Sequence, residues 1–265
     1  MGIFQAALIA TVVSVGIGHA LLRSWTCRWR LHYGVTAASL AFSPLVNLLV
    51  KKPALGVMLG RVHLQPAVST WPWWFAALVL LVVGISEEAI KLLPLLAPEV
   101  RRVLGTRGSA EPLAFAIGLG FAVGEIWYLA YRIHVNDPAS AGLPFYMLGG
   151  FVTERIATLT IHSFLVMLPL RAWQNGAASF LRWTAGAMLA HALIDTTAML
   201  YQMKVVGAAV ATLVLLGLTL ACAIPFYRYR QELTPSDRSA ALRKDGRLLY
   251  DASAGEFPSR KDGSA

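Results

Sequence analysis

The chain has 265 residues, of which 57% are hydrophobic and 14% charged, and it carries a formal net charge of +9. That is far more apolar and less charged than an ordinary soluble domain, which excludes a soluble catalytic fold. The basic residues lie between hydrophobic runs and near the C-terminus rather than along one amphipathic face, which speaks against a nucleic-acid partner.

Apolar runs of roughly 18 to 25 residues, enough to cross a hydrocarbon core of about 30 Å, recur over the first 226 positions. They predict an all-α polytopic membrane helix bundle of about seven transmembrane helices, at 3–22, 33–50, 74–97, 113–131, 146–170, 180–201 and 205–226. The first run has no Lys or Arg before Arg23, so it lacks the basic leader of a cleavable signal and is expected to stay as a helix. The second is the shortest, and Pro44 and Asn47 interrupt it. Trp71, Trp73 and Trp74 stand where the third helix should enter the bilayer, as interfacial anchors do. Gly118, Gly120 and Gly124 in the fourth read as close helix packing, since no strand precedes them to make a nucleotide loop. Cys27 and Cys222 have neither disulfide nor zinc spacing and read as packing residues.

Residues 1–226 thus form a transmembrane helical domain, and 227–265, mixing basic and acidic residues with Ser, Gly and Pro, read as a disordered cytoplasmic tail. With seven crossings, sixteen basic residues fall on the tail's side and five on the other. By the positive-inside rule the N-terminus is outside and the C-terminus cytoplasmic. A bacterial inner (plasma) membrane is the expected location.

Ionisable residues do not belong inside such spans, where each costs roughly 2.5 to 3.5 kcal/mol at mid-depth on insertion scales. Glu87, Glu88 and Lys91 nevertheless lie on the third helix, Glu125 on the fourth, Glu154, Arg155 and His162 on the fifth, and His191 and Asp195 on the sixth. Helical spacing puts Glu87 with Lys91, Arg155 with His162, and His191 with Asp195 on common faces. The four helices should turn these faces to one another around a wet cavity. Glu154 is expected to snorkel or pair near its helix's outer half, and His19, His32, His63 and His134 lie at span ends or in loops and read as interfacial.

Five carboxylates then face only Lys91 and Arg155, leaving three negative charges. Protonation of carboxyls, charged histidines or a bound divalent cation would relieve them. A basic carboxylate can activate water, and two imidazoles with a carboxylate are a common catalytic ligand set. Each pair also has a structural reading: an intrahelical ion pair for Glu87 and Lys91, an interhelical lock for Glu125 and Arg155, and an imidazole-orienting bond for His191 and Asp195.

Glu87-Glu88-x-x-Lys91, Phe121-x-x-x-Glu125, Arg155 with His162 seven later, and His191-x-x-x-Asp195 together resemble the PrsW intramembrane proteases, within a wider group that holds the CAAX prenyl endopeptidases and the CPBP proteins. The resemblance spans about residues 74 to 201. It implies peptide-bond hydrolysis within or near the membrane, with Glu87 or Glu88 activating water and His162 and His191 binding a metal or stabilising the oxyanion. Glu125 stands where the CAAX branch has a histidine, and Ile126 where many PrsW-like proteins have Asn.

The expected function is therefore an intramembrane peptidase acting on a membrane-anchored protein. Its catalytic residues are Glu87, Glu88, Glu125, His162 and His191, supported by Lys91, Arg155 and Asp195. The ligand set expected for a divalent metal, zinc foremost, is His162, His191 and Asp195. A proton- or cation-coupled carrier, which also uses intramembrane carboxylates and histidines, is the rival from another class, followed by a non-catalytic scaffold subunit and a lipid-acting hydrolase.

Overall fold

A computed structural model describes residues 2–25, 28–65, 67–106 and 108–232, which are helical throughout and contain no strand. Cys27, Arg107 and the tail from 233 onward lie outside the described residues. The long helices are α1 (Gly2–Trp25), α5 (Trp73–Lys91), α7 (Ala110–Asn136), α9 (Gly149–Ala172), α10 (Ala177–Gln202) and α11 (Ala208–Glu232). Between α1 and α5 a single 34-residue helical rod runs from Trp29 to Val62. It consists of α2 (Trp29–Ser39), α3 (Phe42–Val46), a π-helical turn at Asn47–Lys51 and α4 (Lys52–Val62). Short α6 (Pro98–Leu104) and α8 (Pro138–Gly142) cap the connections before and after α7.

Five of these helices are long and apolar enough to cross a membrane: 2–25, 29–62, 110–136, 150–175 and 208–229. The chain is accordingly read as an integral membrane protein. The two further spans expected from sequence, α5 and α10, fall outside the five, and they are the two that carry Glu87, Glu88 and Lys91, and His191 and Asp195.

Several boundaries differ from the sequence reading for physical reasons. The second span does not end at residue 50. Pro44 lies only two residues into α3, where its missing N–H costs little, and the helix absorbs the irregularity as a π turn before continuing to Val62. Lys51 and Lys52, expected in a loop, are therefore helical. The third helix stops at Lys91 and not at 97, because Pro94 forces a 3-10 turn over Leu93–Leu96. The last helix runs on to Glu232, so 227–232 are not part of a disordered tail. Tyr229 anchors that end, donating its hydroxyl to the Gly108 carbonyl at 2.7 Å, while Phe226 stacks on Trp25 at 5.9 Å between ring centres.

α7 is the axle of the bundle. From Ala110 to Gly124 every one of its residues is buried, as expected of a helix apolar on all sides. Its glycines allow the close approach: a Cβ on Gly118 would lie 2.6 Å from the Ser163 backbone of α9, and one on Gly120 would lie 2.6 Å from Ser39 Cβ of α2. Thr36 Oγ1 donates across the same seam to the Ala116 carbonyl at 3.0 Å. Cys222 packs with Ile161 and Leu165 in a small apolar cluster. Trp73 and Trp74 are exposed as anchors should be, but Trp71 is buried, with its ring edge-on to Phe75 and its Nε1–H donated to the Gln65 carbonyl.

Gly84 plays the same part between α5 and α10, where an added side chain would run into the Met188 carbonyl and come within 3.2 Å of the Ala192 nitrogen. Gly84→Val is expected to push α5 from α10 and cost about 1–3 kcal/mol or more. Gly186→Val, at a position with nothing within 4 Å, should leave stability within about 0.5 kcal/mol of wild type. Thermal unfolding of both variants in detergent checks the contrast.

Candidate active site and metal centre

Consecutive residues on a helix point about 100° apart, so Glu87 and Glu88 of α5 address different neighbours. Glu88 faces α9 and α10. Its Oε1 accepts from Lys91 Nζ at 2.6 Å, one turn on, and from Nδ1 of His191 at 2.6 Å. Lys91, fully buried, also donates to Nδ1 of His162 at 2.9 Å and lies over the Phe121 ring at 4.3 Å. Glu87 divides its carboxylate, its Oε1 accepting from Lys51 at the end of the π turn while Oε2 stays on the side of His191. The Glu87–Lys91 pair expected from i,i+4 spacing is thus replaced by an i,i+3 pair with Glu88, and Glu88 is far from partnerless.

Glu125 of α7 gathers the second half of the cluster. Its Oε2 accepts from Arg155 Nη1 at 2.8 Å and from His162 Nε2 at 3.2 Å. Arg155 and His162 share a face of α9, as expected, but meet through this carboxylate and not through each other. Arg155 also reaches Glu154 at 2.5 Å, whose side chain is 44% exposed, consistent with a residue at the outer edge of the group. Of the four histidines set aside as interfacial, His32 is buried, with Nδ1 on the Arg28 carbonyl at 2.9 Å.

The hydrogen-bond partners decide the tautomers. Glu88 takes the Nδ1 proton of His191, and Nε2 on the far side of the ring faces two further carboxylates. That atom lies 3.6 Å from Glu87 Oε2 and 3.4 Å from Asp195 Oδ2. Lys91 donates to His162 Nδ1, so Nε2 carries the proton given to Glu125. Each imidazole therefore leans on its own carboxylate, Glu88 for His191 and Glu125 for His162, the arrangement that orients metal-binding histidines.

Glu87, His162 and His191, all buried, each offer a ligand atom within 4.8 Å of the others. Glu87 Oε2 is the only buried carboxylate oxygen without a hydrogen-bond partner among the described residues. Five carboxylates (Glu87, Glu88, Glu125, Glu154, Asp195) meet three cations (Lys51, Lys91, Arg155), so two negative charges remain when the histidines are neutral. An orphaned carboxylate oxygen, two imidazoles and a surplus of two charges fit a divalent cation. The carboxylate within reach of both imidazoles is Glu87, while Asp195, the carboxylate expected from sequence, lies against His191, its Oδ2 3.4 Å from Nε2. Asp195, one turn beyond His191, has a side chain 37% exposed, against 3% for Glu87, and sits at the mouth of the site.

Lys51 is the site residue that the sequence reading missed. Its signal was the charge imbalance itself: with three negative charges unmatched, a lysine directly after an apolar run was a candidate partner. Phe121, noted only as part of a motif, walls the centre, its ring edge-on to His162 at 4.8 Å.

Residues 132–216 match the family model described as YhfC intramembrane metalloprotease. The matched segment contains Arg155, His162, His191 and Asp195, whereas Glu87, Glu88, Lys91 and Glu125 precede it. The match supports an intramembrane protease family, one described as metal-dependent, and does not single out PrsW or the CPBP proteins within that class. No curated protein and no solved structure matches the chain.

The two acids bonded to Arg155 should respond very differently to removal of their bond. Arg155→Met leaves the half-buried Glu125 with His162 as its remaining partner and is expected to cost about 3 kcal/mol. Glu154→Ala, at the exposed edge, should cost less than about 1 kcal/mol. Thermal melts of the two variants in detergent measure both.

Proposed function

We propose that this protein is an intramembrane metallopeptidase that hydrolyses a peptide bond of a membrane-anchored protein. The reading rests on one observation above all: a buried carboxylate oxygen, Glu87 Oε2, is left unpaired 3.6 Å from Nε2 of His191, inside a shell in which both imidazoles are held by carboxylates. A purely structural ion network would be expected to satisfy that oxygen.

His162, His191 and Glu87 would hold the metal, which when bound polarises a substrate carbonyl and makes water a better nucleophile near neutral pH. The residues of the chain supply the rest. Glu87 Oε2, 3.6 Å from His191 Nε2, has no hydrogen-bond partner and so has a lone pair with which to take a proton from water. Glu88 holds Nδ1 of His191 and thereby turns its Nε2 toward the centre. Glu125, fixed by Arg155, takes the Nε2 proton of His162, whose Nδ1 is held by Lys91 and would have to be released for this imidazole to join the metal. Lys91 and the Phe121 ring close the inner wall, so water enters from the side of Asp195 and Glu154, whose side chains are the most exposed of the group.

Zinc is the metal favoured by two imidazoles and a carboxylate. The seven-crossing arrangement, with N-terminus outside and C-terminus in the cytoplasm of a bacterial inner membrane, belongs to the same proposal. In its support, α10 has 26 residues and α5 has 19, long enough for or close to the span of a hydrocarbon core of about 30 Å.

Purified protein in liposomes, offered a panel of single-span reporter peptides, is expected to cut at least one. Glu87→Gln and His191→Ala should each lower the rate by about 10²-fold or more. A chelator should stop cleavage, and added zinc should restore it. Undiminished cleavage by the double variant E87Q/H191A would refute the reading, and cation flux without cleavage would favour a carrier.

A further inference from the structure

Lys51 is neither a ligand nor part of the inner wall, yet it occupies the carboxylate on which the metal reading depends. It ends the π turn Asn47–Lys51, and π turns recur at functional positions in helices. From Asn47 to Val62 no residue is buried. Leu49 and Val57 stand 70% and 63% exposed, and only Leu55, Met58 and Leu59 lie partly buried against the Trp71 and Phe75 cluster. Against this loosely held segment, the Lys51 side chain reaches inward and donates to Glu87 Oε1. It lies close enough to Glu125 and Asp195 to interact with their charges as well.

We propose that Lys51 is an internal counter-ion that holds Glu87 while the metal is absent and gives way as the metal binds. The inference rests on the assignment of Glu87, His162 and His191 as the group that would hold the metal. An ammonium on one oxygen of a carboxylate and a divalent cation on the other repel each other strongly where the surroundings are apolar. One of the two must yield, and Lys51 is the cation with a way out. Its side chain is 18% exposed, while that of Glu87 is 3% and that of Lys91 is 0%. Lys91 is fully buried on Glu88 and over Phe121 and has no comparable exit, although its bond to His162 Nδ1 would have to break for that nitrogen to take a metal. A flexible four-carbon stem on a π turn lets the Lys51 ammonium withdraw toward the headgroups without unfolding the rod. Metal loading is then coupled to the position of the π turn Asn47–Lys51, which brings Lys51 to the site.

The test is the zinc affinity of the full-length chain in nanodiscs, measured by competition with a chromophoric chelator, with His191→Ala as the baseline for metal bound elsewhere. Lys51→Met should bind zinc tighter than wild type by roughly tenfold or more, because the repelling charge is gone. Lys51→Gln, which keeps a donor for Glu87 and guards against misfolding of the methionine variant, should shift the same way. Lys51→Arg, which retains the charge, and Lys52→Met, on the exposed neighbour, should stay near wild type. Unchanged or weaker affinity in Lys51→Met and Lys51→Gln overturns the counter-ion role while leaving the metal reading intact. Absence of His191-dependent zinc from every variant overturns both.

Discussion

The interaction on which the architecture depends is the pair of hydrogen bonds converging on Glu88 Oε1, one from Lys91 and one from His191. An ionised carboxylate in a bundle surrounded by lipid has no water to fall back on, so its partners must come from the protein. Glu88 takes one from its own helix and one from α10, and Lys91 passes the constraint to His162 on α9. His162 passes it in turn to Glu125 on α7, where Arg155 closes the chain. Four helices are tied by one continuous polar thread, and lengthening any of its links leaves a buried charge unmatched.

Such a thread is useful only if the helices come close enough for short side chains to meet, and the glycines provide this. Gly118 and Gly120 bring α9 and α2 onto α7, and Gly84 sets α10 against α5. Van der Waals packing at these seams substitutes for the hydrophobic driving force that lipid does not supply between helices. The apolar scaffold and the polar centre are therefore interdependent: the small residues fix the distances, and the ion network gives the bundle one register over its alternatives.

Within the centre, satisfied and unsatisfied groups are divided in a way that bears on chemistry. Glu88 and Glu125 are engaged and hold imidazoles, which makes them supports. Glu87 is half engaged, with one oxygen on Lys51 and the other facing His191. A rigid inner wall of Lys91, Phe121 and the imidazoles meets Lys51 on the loosely packed π turn Asn47–Lys51. This asymmetry is what a site that must admit a cation, water and a peptide would need, since groups that react have to be less completely paired than groups that position.

Much of the centre was legible in the sequence because a membrane gives polar residues nowhere to hide. Glu87, Glu88, Lys91, Glu125, Arg155, His162, His191 and Asp195 stand out against apolar helices, and α-helical spacing alone aligns them by face. Pairing was not legible, because it depends on helix rotation. Whether Lys91 meets Glu87 at i+4 or Glu88 at i+3 is decided by which side of α5 faces α9, and that Glu87 reaches both imidazoles depends on the same rotation. Lys51 was hidden for a different reason. Sequence hydropathy ended the second helix at residue 50, whereas the fold carries it through a π turn to Val62 and brings the lysine inward. The sequence by itself determined a polytopic helical bundle with a buried acid, base and histidine centre, since both follow from hydropathy and spacing. Only the tertiary structure decided which carboxylate holds which cation and which oxygen is left free, since those depend on how helices distant in sequence are turned against one another.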